Sequence, residues 1–278
     1  MLTSTDARID FFGATRTVLK DELDWHLENL EIKGYSIMEN VLPQEECAQV
    51  TEKMDRLNQA QIKKFGTDRL YELKDYGTIR DMFVHDAYFR ELVLHPSVIN
   101  IVDSVIGSTA ILHVQNGLIL ESDRTIYQTQ FHRDFARDFV CPQVLFLNAM
   151  FLIDDFTANT GGTVIVPFTH RFANFPSERY LKENAFQVEA KAGSIFFFDG
   201  LLLHKSGNNT SGKIRRAINH GYTRAFMKQQ MDYAQLLKGK IDPESRMAQI
   251  FGLWSVPPKD VDEYRVDQDK RTYRKGQG

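Results

Sequence analysis

Between residues 109 and 226, the chain consists of short apolar segments separated by residues that favour turns. Eight segments rich in β-branched and aromatic residues alternate with Gly, Asn, Asp, Ser or Pro, a pattern typical of short strands joined by tight connections. A parallel sheet would need crossover helices between its strands, and no such helical pattern is evident between these segments. We therefore predict an antiparallel sandwich or jelly roll. The predicted strands span residues 110–120, 125–131, 144–153, 163–167, 186–190, 194–198, 201–206 and 215–226.

The region before these strands has a helical pattern. Cys47, Val50, Met54 and Leu57 recur at three- and four-residue steps, which predicts a helix that begins after Pro43 and buries one face. A short strand is expected before it, at residues 32–41. Further helices are predicted at residues 23–30, 79–92 and 97–106.

After Met227 the chain turns polar and helical again, around residues 233–237 and 244–251, and ends in a charged tail, 267–278, that we expect to be mobile. The fold class is therefore α+β, with N-terminal helices packed on one sheet of a jelly-roll core and a helical C-terminal tail. We expect a single domain with a helical part at about 1–108, the core at about 109–226 and a C-terminal extension at about 227–278.

Composition argues against several classes of protein. The 278 residues are 42% hydrophobic and 26% charged with a formal net charge of −3, which gives no sign of binding to nucleic acid or to a membrane surface. No apolar run approaches a bilayer span, and the first residues lack the apolar core of a signal peptide. Cys47 and Cys141 fit a reducing compartment and provide no closely spaced metal-binding pair. We expect a cytoplasmic protein that acts on a small molecule, and the oligomeric state stays open.

A histidine and a carboxylate lie two residues apart in the sequence Gln130-Phe131-His132-Arg133-Asp134. On a strand, His132 and Asp134 would face the same side. Two imidazoles and one carboxylate form the facial triad that binds non-haem Fe(II) and leaves coordination positions open. His204, near the end of an apolar strand that turn-forming residues follow, is the candidate for the third ligand. The sequence therefore predicts a metal site at His132, Asp134 and His204.

Five segments, in order, resemble the phytanoyl-CoA dioxygenase family of Fe(II)/2-oxoglutarate oxygenases, and together they cover roughly residues 30–226. One such motif would be weak evidence, whereas five in the same order are strong. The segments are residues 30–50 with Gly34-Tyr35 and 43–47, residues 95–107, His132-x-Asp134, residues 159–171, and residues 204–208 followed by Arg215.

The resemblance implies a double-stranded β-helix and an enzyme that converts 2-oxoglutarate and O2 to succinate and CO2 at Fe(II). It implies that the three predicted metal ligands hold the iron, and that Arg215 and Ser206 bind the distal carboxylate of 2-oxoglutarate. Thr129 and Gln115, on strands that lead to the histidine motif, are further candidates for contact with 2-oxoglutarate. Hydroxylation is the simplest outcome, and desaturation, cyclisation and epimerisation stay open.

The spacing of these residues agrees with the resemblance. Ser206 follows His204 by two residues, so both side chains would face the same way about 7 Å apart along a strand, roughly the length of a five-carbon diacid. The turn at residues 207–212 can bring Arg215 back beside Ser206, where its planar guanidinium can bind a carboxylate through two hydrogen bonds.

Two consecutive arginines, Arg215 and Arg216, begin the last predicted strand. Because strand side chains alternate, only one of them can point into the site. The family spacing selects Arg215, which places Ala217 and Asn219 inward and leaves Ile218 to pack against an outer helix. Arg216 is then expected at the surface.

The substrate side of the site is less well defined by the sequence. Phe135 and Arg137, just after the histidine motif, and Asn148, on the predicted strand 144–153, are candidates for contact with substrate. No basic cluster suited to the phosphates of coenzyme A is evident. We therefore expect a small metabolite or a natural-product intermediate.

A second class of function also fits a jelly roll with a metal triad, because a fold does not define a function. The alternative is a metal-dependent non-redox protein or a binding protein that shares the scaffold. Arg215 distinguishes the two, since a non-redox protein has no need for a guanidinium one diacid length from its metal.

Overall fold

The structure is a computed structural model that describes residues 8–9, 12–13, 15–122, 128–134 and 139–277. Strands and helices are numbered in chain order. The strands are β1 Arg8–Ile9, β2 Thr15–Arg16, β3 Tyr35–Met38, β4 Thr78–Arg80, β5 Ile111–Leu120, β6 Phe146–Leu152, β7 Val164–Val166, β8 Phe186–Gln187, β9 Ile195–Asp199, β10 Leu203–Lys205 and β11 Arg215–Thr223. The α-helices are α1 Glu22–Lys33, α2 Gln44–Phe65, α3 Thr67–Glu72, α4 Ala87–Val93, α5 Pro96–Val105, α6 Glu178–Asn184, α7 Tyr233–Leu236, α8 Arg246–Ile250 and α9 Val261–Tyr264. Short 3-10 turns occur at Met82–Val84, Thr169–Arg171 and Gln268–Lys270.

Two antiparallel sheets face each other. The larger sheet has the strand order β3-β9-β6-β11-β5-β4, and the smaller has the order β10-β7-β8. One apolar cluster joins Met150 and Phe198 of the larger sheet to Ile165 of the smaller sheet. The predicted jelly-roll core is therefore confirmed, and the space between the sheets is where a site can lie.

The N-terminal helices cover the outer face of the larger sheet. Val50 and Met54 of α2 belong to the same buried cluster as Phe151, Phe197 and Ile218 of the sheet. The larger sheet is thus buried on both faces, which explains why β6 and β9 consist mostly of apolar residues. The predicted packing of helices on one sheet is confirmed.

Helix α1 ends at Gly34, which has the left-handed conformation with φ of 83°. A Cβ atom at this position would lie 2.5 Å from Nδ1 of His170, so both the backbone conformation and the close approach require glycine. The carbonyl of Gly34 accepts a hydrogen bond of 2.9 Å from the amide of Asp199. The turn therefore joins α1 to the end of β9, just before the segment that carries His204.

Three element predictions are wrong. Residues 79–92 do not form one helix, because Asp81 takes a left-handed conformation with φ of 49° and Asp86 begins a separate helix by accepting a hydrogen bond from the amide of Tyr88. The predicted strand 125–131 lies partly outside the described residues, and residues 128–131 are not in a regular strand.

The third wrong prediction concerns the C-terminal tail, which packs on the protein through residue 277. Arg274 donates to both carboxylate oxygens of Glu244, at 2.7 and 2.6 Å, and its guanidinium lies over the ring of Trp254. Gln277 is buried and accepts a hydrogen bond from Gln249. None of the described helices has the length and apolar character needed to cross a membrane.

Arg216 points away from Arg215, as strand alternation predicts, but its side chain is only 11% exposed. It donates to both oxygens of Asp55 in α2, at 2.8 and 2.9 Å, and to Asp154 after β6, at 3.1 Å. The prediction that Arg216 lies at the surface is therefore wrong. Carboxylates from two distant segments pair with its guanidinium, which offsets the cost of burying the charge.

We expect Arg216→Ala to lower the free energy of unfolding by about 1–3 kcal/mol, because it leaves two partly buried carboxylates without their partner. Arg179, whose side chain is 86% exposed beside Glu183, provides the matched control, and Arg179→Ala should stay within about 0.5 kcal/mol. Denaturant titration measures both changes. Equal effects of the two substitutions would show that the Arg216 ion pairs do not stabilise the fold.

Candidate metal and 2-oxoglutarate site

The segment that carries His132 and Asp134 is held against the segment that carries His204. His132 and His204 exchange backbone hydrogen bonds of 3.0 and 3.1 Å, and the amide of Asp134 donates to the carbonyl of Gly200 at 2.9 Å. One possible ligand atom from each of the three side chains lies within 4.8 Å of the other two. The fold therefore brings together the three residues that the sequence predicted as metal ligands.

Each of the two histidines uses the same ring nitrogen, Nδ1, for its contact with a backbone carbonyl. Nδ1 of His132 lies 2.9 Å from the carbonyl of Gln130, and Nδ1 of His204 lies 2.9 Å from the carbonyl of Leu202. A carbonyl can only accept, so each Nδ1 carries the hydrogen and each neutral ring keeps a lone pair on Nε2. Both Nε2 atoms approach Oδ1 of Asp134, at 3.9 and 3.5 Å. Such backbone contacts are typical of histidines that bind a metal.

Burial and charge act in opposite directions on Asp134 and His204. Burial opposes ionisation of Asp134, but the imidazoles of His204 and His132 and the amide of Asn148 outweigh it and hold the pKa of this carboxyl below its usual value. Burial also disfavours the charged form of His204, yet Asp134 raises the pKa of that imidazole. Asp134 is therefore ionised at neutral pH, and a proton on His204 competes with a metal for Nε2.

Asn148 orients the carboxylate of Asp134. Its Nδ2 donates to Oδ2 of Asp134 at 2.5 Å, and its Oδ1 accepts from Nδ2 of Asn219 at 2.7 Å. Asn148 is fully buried, and both ends of its amide are used within the protein. The amide of Asn148 thus holds the carboxylate of Asp134, and its contact with substrate stays a prediction.

Arg215 is buried in the same cavity as the predicted ligands. The cavity is lined by Asp134, His204, Ser206 and Arg215 among others. The guanidinium donates to the carbonyl of Gly161 at 2.7 Å and lies over the ring of Phe156, while its Nε has no hydrogen-bond partner. Burial lowers the pKa of Arg215 to about 10, with Asp154 acting in the opposite direction, so the group is a cation at neutral pH.

Gln115 faces away from this cavity. Its amide accepts from the amide of Phe83 and donates to the carbonyl of Phe89, each at 2.8 Å, and it contacts His220. The prediction that Gln115 contacts 2-oxoglutarate is therefore wrong, because it lies on the face of β5 that the helices cover. The adjacent Asn116, which the sequence analysis missed, lines the cavity instead.

In the segment before His132, the residue that lines the cavity is again the neighbour of the one that the sequence predicted. Gln128 lines the cavity with Arg215, and its carbonyl accepts from the amide of Ser206 at 2.8 Å. Thr129 is exposed and lines a second, larger cavity of about 700 Å³ beside His132. Phe135 and Arg137, the other candidates for contact with substrate, lie outside the described residues.

The sequence pattern of the phytanoyl-CoA dioxygenase (PhyH) family matches residues 30–217, and the chain belongs to this family. Uncharacterized protein Rv1501 of Mycobacterium tuberculosis is 40% identical over 263 residues, which cover 92% of this chain and 96% of that protein. Dioxygenase af480 of Aspergillus fumigatus is 25% identical over 143 residues, which cover 49% of this chain and 45% of that protein.

Solved structures support the fold. HygX from Streptomyces hygroscopicus with iron bound is 16% identical, with a TM-score of 0.58 over 77% of this chain and 90% of HygX; HygX has also been crystallised with nickel and 2-oxoglutarate. SnoN, a non-heme α-ketoglutarate-dependent epimerase from nogalamycin biosynthesis, is 19% identical, with a TM-score of 0.57 over 73% of this chain and 84% of SnoN. Membership of the phytanoyl-CoA dioxygenase family, together with the His132, Asp134 and His204 cluster, makes the protein an oxygenase of the Fe(II)/2-oxoglutarate-dependent type, with iron and 2-oxoglutarate as its cofactors.

We expect Asn148→Ala to weaken metal binding by about 10- to 100-fold, because the carboxylate of Asp134 loses the amide that orients it. Calorimetric titration with Ni(II) measures the affinity. Asn184→Ala is the matched control, since Asn184 donates only to a backbone carbonyl on the exposed helix α6. An unchanged affinity in Asn148→Ala would show that the backbone alone orients Asp134.

Proposed function

We propose that His132, Asp134 and His204 hold the iron, and that the enzyme oxidises a small metabolite or natural-product intermediate, most simply by hydroxylation. The observation that carries the proposal is the position of Arg215, a buried cation with an unpartnered Nε in the cavity that also contains Asp134 and His204. A binding protein or a non-redox metal protein has no use for this arrangement.

The proposed ligands fit iron by their chemistry. Two neutral imidazole nitrogens and one carboxylate are the donor set that non-haem Fe(II) takes while keeping positions open. When bound, iron with 2-oxoglutarate and O2 supplies the oxidising power, and succinate and CO2 are the co-products. The protein contributes the geometry: backbone carbonyls fix both imidazoles, and Asn148 holds the carboxylate of Asp134.

The surroundings of Arg215 fit one carboxylate of a diacid. In the described part of the chain no carboxylate makes an ion pair with its guanidinium, so a ligand carboxylate can take the free Nε. Ser206 lines the same cavity, and its hydroxyl can donate to the same ligand group. In the structure this hydroxyl donates to the carbonyl of Gly207 at 3.2 Å, a contact that it exchanges for the ligand. We propose that these two residues bind the distal carboxylate of 2-oxoglutarate, with Asn116 and Gln128 in the cavity wall.

The cavity between these groups is small. It measures about 40 Å³. We propose that flexible side chains in its wall make room for a five-carbon diacid. Met150 lies in the wall, and its unbranched thioether is well suited to adjust.

Substrate class and location are part of the proposal. The cavity of about 700 Å³ lined by Thr129, His132 and Phe175 among others is large enough for a metabolite beside the proposed iron site. Cys47 and Cys141 are unpaired, which suits a reducing compartment such as the cytoplasm. We propose one domain that encloses the whole site.

We expect each of His132→Ala, Asp134→Ala and His204→Ala to abolish succinate formation and to reduce bound iron, because each removes one of three ligands. The fold should stay largely intact, as judged by circular dichroism, since the sheets do not depend on these side chains. The measurements are iron content and succinate produced with Fe(II), 2-oxoglutarate and ascorbate. Full turnover by any of the three variants would remove that residue from the ligand set.

We expect Arg215→Ala to raise the 2-oxoglutarate concentration needed for half-maximal turnover by about thirtyfold or more. The loss of a buried, charge-paired contact costs roughly 2–5 kcal/mol, and each 1.4 kcal/mol corresponds to about tenfold.

The adjacent arginine offers a matched control for this test. Arg215→Lys keeps the charge but loses the planar pair of donors, so it should still raise the requirement by about tenfold. Arg216→Lys should leave the requirement unchanged, because Arg216 binds Asp55 and Asp154 on the other face. The reverse ranking in a titration of 2-oxoglutarate against succinate would contradict the assignment of Arg215.

A further inference from the structure

The residue between His132 and Asp134 is itself buried. Arg133 is only 4% exposed, and burial lowers the pKa of its guanidinium although Asp199 opposes this. Burial of an unpaired cation is costly unless its donors are hydrogen-bonded. The partners of Arg133 are backbone carbonyls, so its side chain stabilises the conformation of the main chain.

Four carbonyls accept from Arg133, and they belong to two segments. Nε donates to Leu201 at 3.0 Å, three residues before His204. The terminal nitrogens donate to Ala173 at 3.0 Å, to Thr169 at 3.3 Å and to Phe172. The last three carbonyls lie in residues 168–176, which we call the aromatic loop.

The aromatic loop carries apolar side chains that the protein leaves exposed. Phe168, Phe172 and Phe175 are 55%, 52% and 55% exposed. Phe168 also has a positive φ of 68°, a strained conformation for a bulky residue that persists only where surrounding contacts impose it. Exposed aromatic groups held in a fixed arrangement are typical of a binding surface.

The loop borders the proposed substrate cavity. Phe175 lines the cavity of about 700 Å³ together with His132 and Arg133. The hydroxyl of Thr169 accepts from the amide of Leu203 at 3.0 Å, so the loop is also attached to β10, the strand that contains His204. Arg133, which lies between His132 and Asp134, thus contacts both the segment before His204 and the loop.

On the basis of the proposed iron site, we infer that Arg133 is a positioning residue that holds the aromatic loop as a wall of the substrate cavity and fixes the His132–Asp134 turn relative to His204. A change in this residue should alter two things at once: the order of the loop and the geometry of the metal ligands. Neither requires Arg133 to touch substrate or metal.

The test compares Arg133→Met, Arg133→Lys and Arg90→Met. Methionine keeps an unbranched apolar stem without donors, and lysine keeps the charge without the planar fork. Arg90 is the matched control, because it also donates to a backbone carbonyl, that of Phe83 at 2.7 Å, but belongs to neither cavity described above.

The first measurement is hydrogen exchange of the metal-free protein. We expect amides in residues 169–173 to exchange at least about tenfold faster in Arg133→Met than in the wild type. The increase should be smaller in Arg133→Lys and absent in Arg90→Met. Amides of β6 and β11 should keep their protection in all three. Unchanged exchange in residues 169–173 of a folded Arg133→Met protein would overturn the inference.

The second measurement is the visible absorption spectrum of the Co(II)-loaded protein, which reports ligand geometry. Arg133→Met should shift the spectrum and weaken Co(II) binding about tenfold, whereas Arg90→Met should match the wild type. A spectrum and affinity equal to those of the wild type would overturn the part of the inference that concerns the ligands. If Arg133→Met does not fold, Arg133→Lys decides, and wild-type behaviour in both measurements then overturns the inference.

The proposed iron site has its own control in His132→Ala. If this variant and the wild type bind Co(II) identically, the iron assignment fails. The exchange data, which need no metal, still decide whether Arg133 holds the aromatic loop.

Discussion

The site depends on one short backbone contact, the pair of hydrogen bonds between His132 and His204. Residues 128–131, the described residues just before His132, do not form a regular strand, so they provide no long ladder of hydrogen bonds to fix the distance between the two histidines. The amide of Asp134 and the guanidinium of Arg133 add contacts to Gly200 and Leu201. The carboxylate and the two imidazoles can then lie close together, because contacts of the main chain, and not contacts between these side chains, set their separation.

The sequence correctly predicted the direction of a side chain where strand alternation alone determines that direction. Arg215 points into the cavity and Arg216 away from it, as the period of two requires. The same reasoning failed at Gln115 because both faces of the larger sheet are buried. A polar residue on β5 can then belong either to the cavity or to the layer under the helices, and Gln115 satisfies its amide with Phe83, Phe89 and His220 in that layer.

The error at Arg216 comes from partners that are distant along the chain. Arg216 looked like a surface residue because nothing near it in sequence shows that Asp55 and Asp154 will meet it. Nothing near Asn148 in sequence shows its two partners either, because Asp134 and Asn219 come from other segments. A single sequence shows which charged or polar side chains need a partner when they are buried. Only the fold shows which residues are those partners.

The two-sided burial of the larger sheet also has an evolutionary consequence. In β11, the inward residues Arg215, Ala217 and Asn219 alternate with Arg216, Ile218 and His220, which face the helices. An insertion or deletion of one residue would exchange the two sets and damage catalysis and folding together. Descendants of such a chain therefore diversify more easily in connections between the strands, where a change of length leaves the register of the strands intact.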